Sequence, residues 1–201
     1  MKKLILKTIA ITLASILALC LLTFGVFALF FPAPTARFFD NIGGYSASVF
    51  FYEKQYNKTG DIEDLSNLVV KVDDENDSVR AESFLADLVY HQDFDKFCQE
   101  QDLDNTTGVS TKEYYMGSYA SVLVKNGKFE DALTVADDYV KENGYTSFNP
   151  FSVIIMENGK SLTTENLTTL KLKILGYSLT GVQLENVLAD LQSIQNLENK
   201  T

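Results

Sequence analysis

Residues 8–31, TIAITLASILALCLLTFGVFALFF, run for 24 positions without a charged side chain. A helix rises about 1.5 Å per residue and needs roughly 20 apolar residues to cross the hydrocarbon of a bilayer. This run is long enough, with some tilt. Lipid offers its backbone no hydrogen-bond partner, so it is expected to be helical throughout. Lys2, Lys3 and Lys7 precede it, and the first charge beyond it is Arg37. That bias predicts a single pass through the cell membrane, with the amino terminus cytoplasmic and the rest extracytoplasmic. Pro32 and Pro34 are expected to end the helix. A cleaved signal peptide is the rival reading, since Val26-Phe27-Ala28 has the small-residue spacing of a cleavage site. The run exceeds the about 7–15 residues of a signal-peptide apolar region, which favours an uncleaved anchor. Leu17-Ala18-Leu19-Cys20 is close to a lipobox, but Leu19 stands where a small residue is needed. Cys20 reads as a membrane-buried apolar side chain.

Beyond the run the character changes. All 27 acidic residues lie from Asp40 onward, the formal net charge is -10, and only fourteen basic residues follow residue 31. So acidic a segment lacks the basic face that nucleic-acid binding requires. Two cysteines, one of them in the apolar run, exclude a disulfide scaffold.

Strand signals are scarce after residue 35; only Phe151–Met156 reads either way. Helix signals are plentiful. Ser110 with Glu113 and Thr180 with Gln183 have capping-box spacing, and Gly144 and Gly176 suit carboxyl caps. Leu85, Leu88 and Val89 fall at helical spacing, as do Leu167, Leu170 and Ile174, then Leu184, Val187, Leu188, Leu191 and Ile194. The fold class is all-α. The expected layout is a cytoplasmic start (1–7), a transmembrane helix (8–31), a juxtamembrane linker or helix (32–44), a helical array (45–175) and a capping helix with a frayed tail (176–201).

The array is suggested by four related turns: Lys58-Thr59-Gly60-Asp61, His91-Gln92-Asp93-Phe94, Lys125-Asn126-Gly127-Lys128 and Glu157-Asn158-Gly159-Lys160. Gly60, Gln92, Gly127 and Gly159 are separated by 32, 35 and 32 residues, each between amphipathic stretches. Such a period marks stacked helix–turn–helix units that cannot bury their faces alone. The chain resembles the tetratricopeptide repeat family, most clearly over Tyr119–Leu133. There Ala120 takes the small position of the first helix, Gly127-Lys128-Phe129 the turn, and Ala132 and Ala136 small places in the second. The first unit matches at Tyr56, Gly60, Ile62 and Leu65 but has Glu53 where a small residue belongs. The second has Phe97 where alanine is usual, and the fourth keeps Gly159 and Ile155. The resemblance implies a groove lined by the first helices of the units, with Lys54, Asn57 and Lys58, then Tyr90, then Tyr114, Ser121 and Lys125 facing a protein or peptide partner. Lysines in an acidic surround, with tyrosines for contact area, imply an acidic or carboxylate-ended ligand.

Catalytic signals are thin. His91 is the only histidine, which excludes two-histidine metal sites, and its place at a helix end suits turn capping. Gly159-Lys160-Ser161 lacks the earlier glycine of a phosphate loop, and Gly159 repeats the turn role of Gly127. Asp102, Asp104, Thr106, Val109 and Glu113 fall on calcium-loop positions, but Thr107 stands where the sharp turn needs glycine and Gly108 comes one place late. Cys98 reads as a small buried apolar residue. Asn57, Asn105 and Asn166 open glycosylation acceptor triplets, relevant only in a eukaryotic secretory setting. No catalysis and no cofactor are expected. The expected function is an anchored module that binds a protein or peptide; the alternatives are a structural subunit assembled through the transmembrane helix and a calcium-responsive envelope protein.

Overall fold

A computed structural model of the chain describes residues 2–74, 77–103, 105–178 and 184–199. The described residues form eleven helices and no strand. They fall into two compact units, residues 1–75 and 76–201.

The first unit contains α1 (Lys2–Phe30), α2 (Pro32–Asn41), α3 (Tyr45–Thr59) and α4 (Ile62–Asp74). Within α1, Lys7–Phe30 is long and apolar enough to cross a membrane, with a mean hydropathy of 2.5 and 6% of its most apolar stretch buried. Its end is set by proline, as expected: Pro32 opens α2, where its missing N–H and fixed φ cost the helix nothing. The turn into α3 is closed by Gly43, whose φ of 77° suits a residue without a Cβ. Gly60, at φ 64°, closes α3 by donating its N–H to the Tyr56 carbonyl at 2.7 Å. The hairpin of α3 and α4, placed at the head of the array from sequence, belongs with α1 and α2.

The second unit runs α5 (Ser78–Val89), α6 (Phe94–Asp102), α7 (Thr111–Lys125), α8 (Phe129–Asn143), α9 (Pro150–Asn158), α10 (Thr164–Ser178) and α11 (Leu184–Glu198). Local chemistry fixes several boundaries. Ser110 and Glu113 form a reciprocal capping box at the start of α7. Asn149 accepts from the N–H groups of Phe151 and Ser152, with Pro150 in the first turn of α9. Between α7 and α8, Lys128 N–H bonds to Leu123 O at 2.8 Å and Gly127 N–H to Val124 O at 2.9 Å, a Schellman turn with Gly127 at φ 77°. Gly144 ends α8 at φ 87°.

Helices α5, α7 and α9 pack in succession; α6 lies against α7, and α8 lies chiefly against α7 and also touches α9. Small residues allow the approach: Ala120, Ala132 and Ala136 are fully buried, and a Cβ on Gly117 would stand 2.6 Å from Val153 Cγ2. The closing hairpin of α10 and α11 packs on α9 through α11.

Three local expectations are corrected. Gly176 lies inside α10 and caps nothing. Gly159 has φ -51°, unlike Gly127, and is needed for space: a Cβ there would meet Leu197 Cδ1 and the Ile155 carbonyl oxygen, both at 2.5 Å. The tail from Asn196 is ordered into α11 as far as Glu198, whose carboxylate pairs with Lys171 at 2.9 Å. The ambiguous Phe151–Met156 stretch is helical. Thr180 and Gln183 lie outside the described residues.

Candidate functional site

The end of α5 and three later helices of the second unit enclose a half-open pocket of about 290 Å³. Its floor is apolar because α5, α6 and α8 each turn a core side chain inward there: Val89, Phe94, Val135 and Tyr139, all buried. Val135 and Tyr139 are four residues apart, on one face of α8. Met116 of α7 completes the floor.

The mouth is polar. Tyr90, at the end of α5, is 71% exposed, with its ring edge-on to Tyr119 at a centroid distance of 6.1 Å. His91 follows, its Nδ1 accepting the Asp93 N–H at 3.2 Å, which is the turn-capping role read from sequence. Lys112 Nζ reaches Asp95 Oδ1 at 2.9 Å and Glu142 Oε1 at 3.5 Å, joining α6, α7 and α8 across the rim. Burial works against the Lys112 charge, but the Asp95 hydrogen bond and the two carboxylates outweigh it and raise its pKa. Burial, then the Glu113 carboxylate, push Tyr139 up to about 12, so its hydroxyl stays protonated at neutral pH. Asp138 also lines the pocket, giving the rim three carboxylates to one lysine.

The Cys98 thiol is buried and pushed up to about 12 by burial and by Asp102 and Asp95, far from a reactive thiolate. Asp102 accepts from Thr111 N–H at 2.7 Å and Thr111 Oγ1 at 2.6 Å, and Glu113 accepts from Ser110 N–H at 2.9 Å. Two carboxylates of the calcium-like loop thus serve the start of α7, and the third, Asp104, lies outside the described residues. Among the described residues no group of three or more His, Cys, Asp or Glu is arranged to hold a metal.

Of the seven residues assigned to a partner surface, Tyr90 alone lines the pocket. Lys54, Asn57 and Lys58 lie on α3 in the other unit, where Lys58 Nζ is 3.4 Å from the Phe30 carbonyl oxygen. Tyr114 is exposed on α7, its ring edge-on to Tyr115 at 5.1 Å. Lys125 is exposed and 3.8 Å from Glu157. Ser121 is corrected: it is fully buried, donating to Glu157 and accepting from Asn158 Nδ2 at 2.8 Å. It joins α7 to α9 and is closed to any partner.

Sequence reasoning missed Asp95, Lys112, Asp138 and Glu142. They lie on three helices, so only Asp138 and Glu142, one turn apart on α8, carried a local signal.

No family model, curated protein or solved structure matches the chain.

Proposed function

We propose that this is a membrane-anchored binding protein. Its first helix holds it in a bilayer with the amino terminus cytoplasmic. Residues 76–201 hold a protein or peptide on the other side and do not transform it. The anchor is supported by the unburied apolar length of α1, which water would penalise at about 25 cal/mol per Å².

The binding half rests on one observation, the pocket, which joins an apolar floor to an exposed tyrosine and a charged rim. Such sites capture a side chain on the floor and select it at the rim. With three carboxylates around Lys112, the complementary partner carries positive charge beside an apolar or aromatic side chain. Two of the three lysines behind the expected acidic ligand already have neighbours: Lys125 faces Glu157, and Lys58 the Phe30 carbonyl. The succession α5, α7, α9 supports the tetratricopeptide-like reading of this unit.

A photo-reactive amino acid at Tyr90, in the full chain in native membranes, tests the reading. We expect a cross-linked protein partner from that position, lost when Met116→Arg fills the pocket. Capture from position 17 of α1 but not from position 90 would instead make the chain a structural subunit joined through its first helix.

A further inference from the structure

We infer that the hairpin of α2 and α3 is a second membrane-embedded element, its tip (residues 41–50) lying among lipid acyl chains beside α1. This rests on reading α1 as the bilayer span.

The contacts fix depth. Phe38 and Phe39 of α2 meet Phe24 of α1 at ring-centroid distances of 5.9 and 6.0 Å. Phe24 is six residues before Phe30, so α2 turns back along α1 by about 9 Å. Helix α3 climbs again: Phe51 stacks on Phe39 at 5.6 Å, and Lys58 Nζ reaches the Phe30 carbonyl oxygen at 3.4 Å. Phe51 to Lys58 on α3 therefore spans about the same rise as Phe24 to Phe30 on α1. Tyr45, six residues before Phe51, lies a further ~9 Å down, near the level of Ala18.

Hydrocarbon about 30 Å thick cannot avoid that level. Measured from Lys7, Phe24 is only about 26 Å along α1; measured from Lys3, about 32 Å. The lipid thus ends about 4 Å above Phe24 or about 2 Å below it, and the level of Ala18 lies inside it either way.

The tip is suited to that depth. No charge occurs between Asp40 and Glu53, and Ile42, Tyr45 and Phe50 are each at least half exposed, with Phe38 close behind. Asp40, one residue beyond Phe39 and so at that depth, carries its charge paired with Lys71 at 3.0 Å. Lipid also requires the turn to satisfy its own backbone. It does so in part: Gly44 N–H bonds to Phe39 O at 2.8 Å, Gly43 to Asp40 O at 3.1 Å, and Ser48 to Gly44 O at 2.9 Å, while the N–H groups of the first turn of α3 have no capping side chain.

The chain has no tryptophan, so one introduced residue reports alone. Tyr45→Trp and Phe50→Trp, both at exposed positions, are compared with Leu17→Trp on α1 and Tyr90→Trp. Each full chain is reconstituted in phosphatidylcholine–phosphatidylglycerol vesicles and quenched either by acyl-chain-brominated phosphatidylcholine or by acrylamide. Emission at 45 and 50 should be blue-shifted and lost to brominated lipid as fully as at 17, while 90 responds to acrylamide alone. Quenching by lipid at 17 with acrylamide access at 45 and 50 would overturn the inserted hairpin and leave the anchor intact. Acrylamide access at 17 as well would overturn both.

Discussion

In α1 and at the start of α3 large apolar side chains face outward, although Val49, Leu65, Leu68 and Val72 of the same unit are buried. Leu13, Ile16, Leu22 and Phe30 of α1, and Phe50 of α3, are each more than half exposed. In residues 76–201 side chains of the same kind turn inward: Leu88, Phe151, Ile154, Leu170, Ile174 and Ile194 are fully buried. Both regions are helical hairpins, so secondary structure does not make the difference. A helix apolar all round has no face to give to water, whereas one with a single apolar stripe can close against a neighbour. Helix α1 therefore leaves its apolar surface uncovered by the chain, whereas the second region covers much of its own.

The same substitution in both regions tests this most strongly. Phe151→Ala should cost about 3–5 kcal/mol of folding free energy, because it empties a fully buried site. Phe50→Ala should stay within about 0.5 kcal/mol, because little protein packing beyond its edge-on contact with Phe51 is lost at an exposed site. Urea unfolding of the full chain in detergent micelles, followed by circular dichroism, compares them. Equal costs would break the contrast.

Glycine gives a smaller effect. Gly117→Ala forces a Cβ against Val153, and overpacking of this kind costs about 1–3 kcal/mol, part of which Val153→Ala should restore. Gly25→Ala in α1 meets nothing within 4 Å and should cost nothing. The same unfolding curves decide it.

The smallest effect is a pH dependence confined to the second region. Asp190 of α11 accepts from Tyr145 Oη and Ser152 Oγ, both at 2.7 Å, and burial raises its pKa above the ordinary carboxylate value despite those bonds. A raised folded pKa favours the protonated form, so its stabilisation is complete below the unfolded pKa and lost as pH rises through the folded one. Three other carboxylates act oppositely. Glu82 is lowered by its Lys128 hydrogen bond; at Asp102 and Asp137, burial is outweighed by hydrogen bonds from Thr111 and from Lys141 and Tyr177. Their stabilisation is present above the unfolded pKa and lost on acidification. Asp190→Asn should therefore lose stability more steeply than the parent as pH falls, by thermal melts across the carboxylate range. Parallel profiles would show that the pKa of Asp190 is not raised in the folded chain.

Much of this was legible locally. The charge-free run, the proline stop, the Ser110–Glu113 capping box and the turns at Gly60 and Gly127 are contained within a few consecutive residues, and each stands where sequence placed it. Gly159 and Ser121 misled because their roles are set by distant partners, Leu197 on α11 and Glu157 and Asn158 on α9. The pocket was hidden for the same reason: Lys112 meets Asp95 and Glu142 from helices 17 and 30 residues away in the chain.

The amino-acid order alone determined the long apolar helix, the all-helical class and most of the turns, because helix formation, capping and apolar periodicity act over a few residues. Tertiary packing decided that α3 and α4 join the amino-terminal unit, that Ser121 turns inward, and that α2 doubles back along α1. Those outcomes depend on which surfaces meet, and meeting surfaces are set by shape and charge across long stretches of chain.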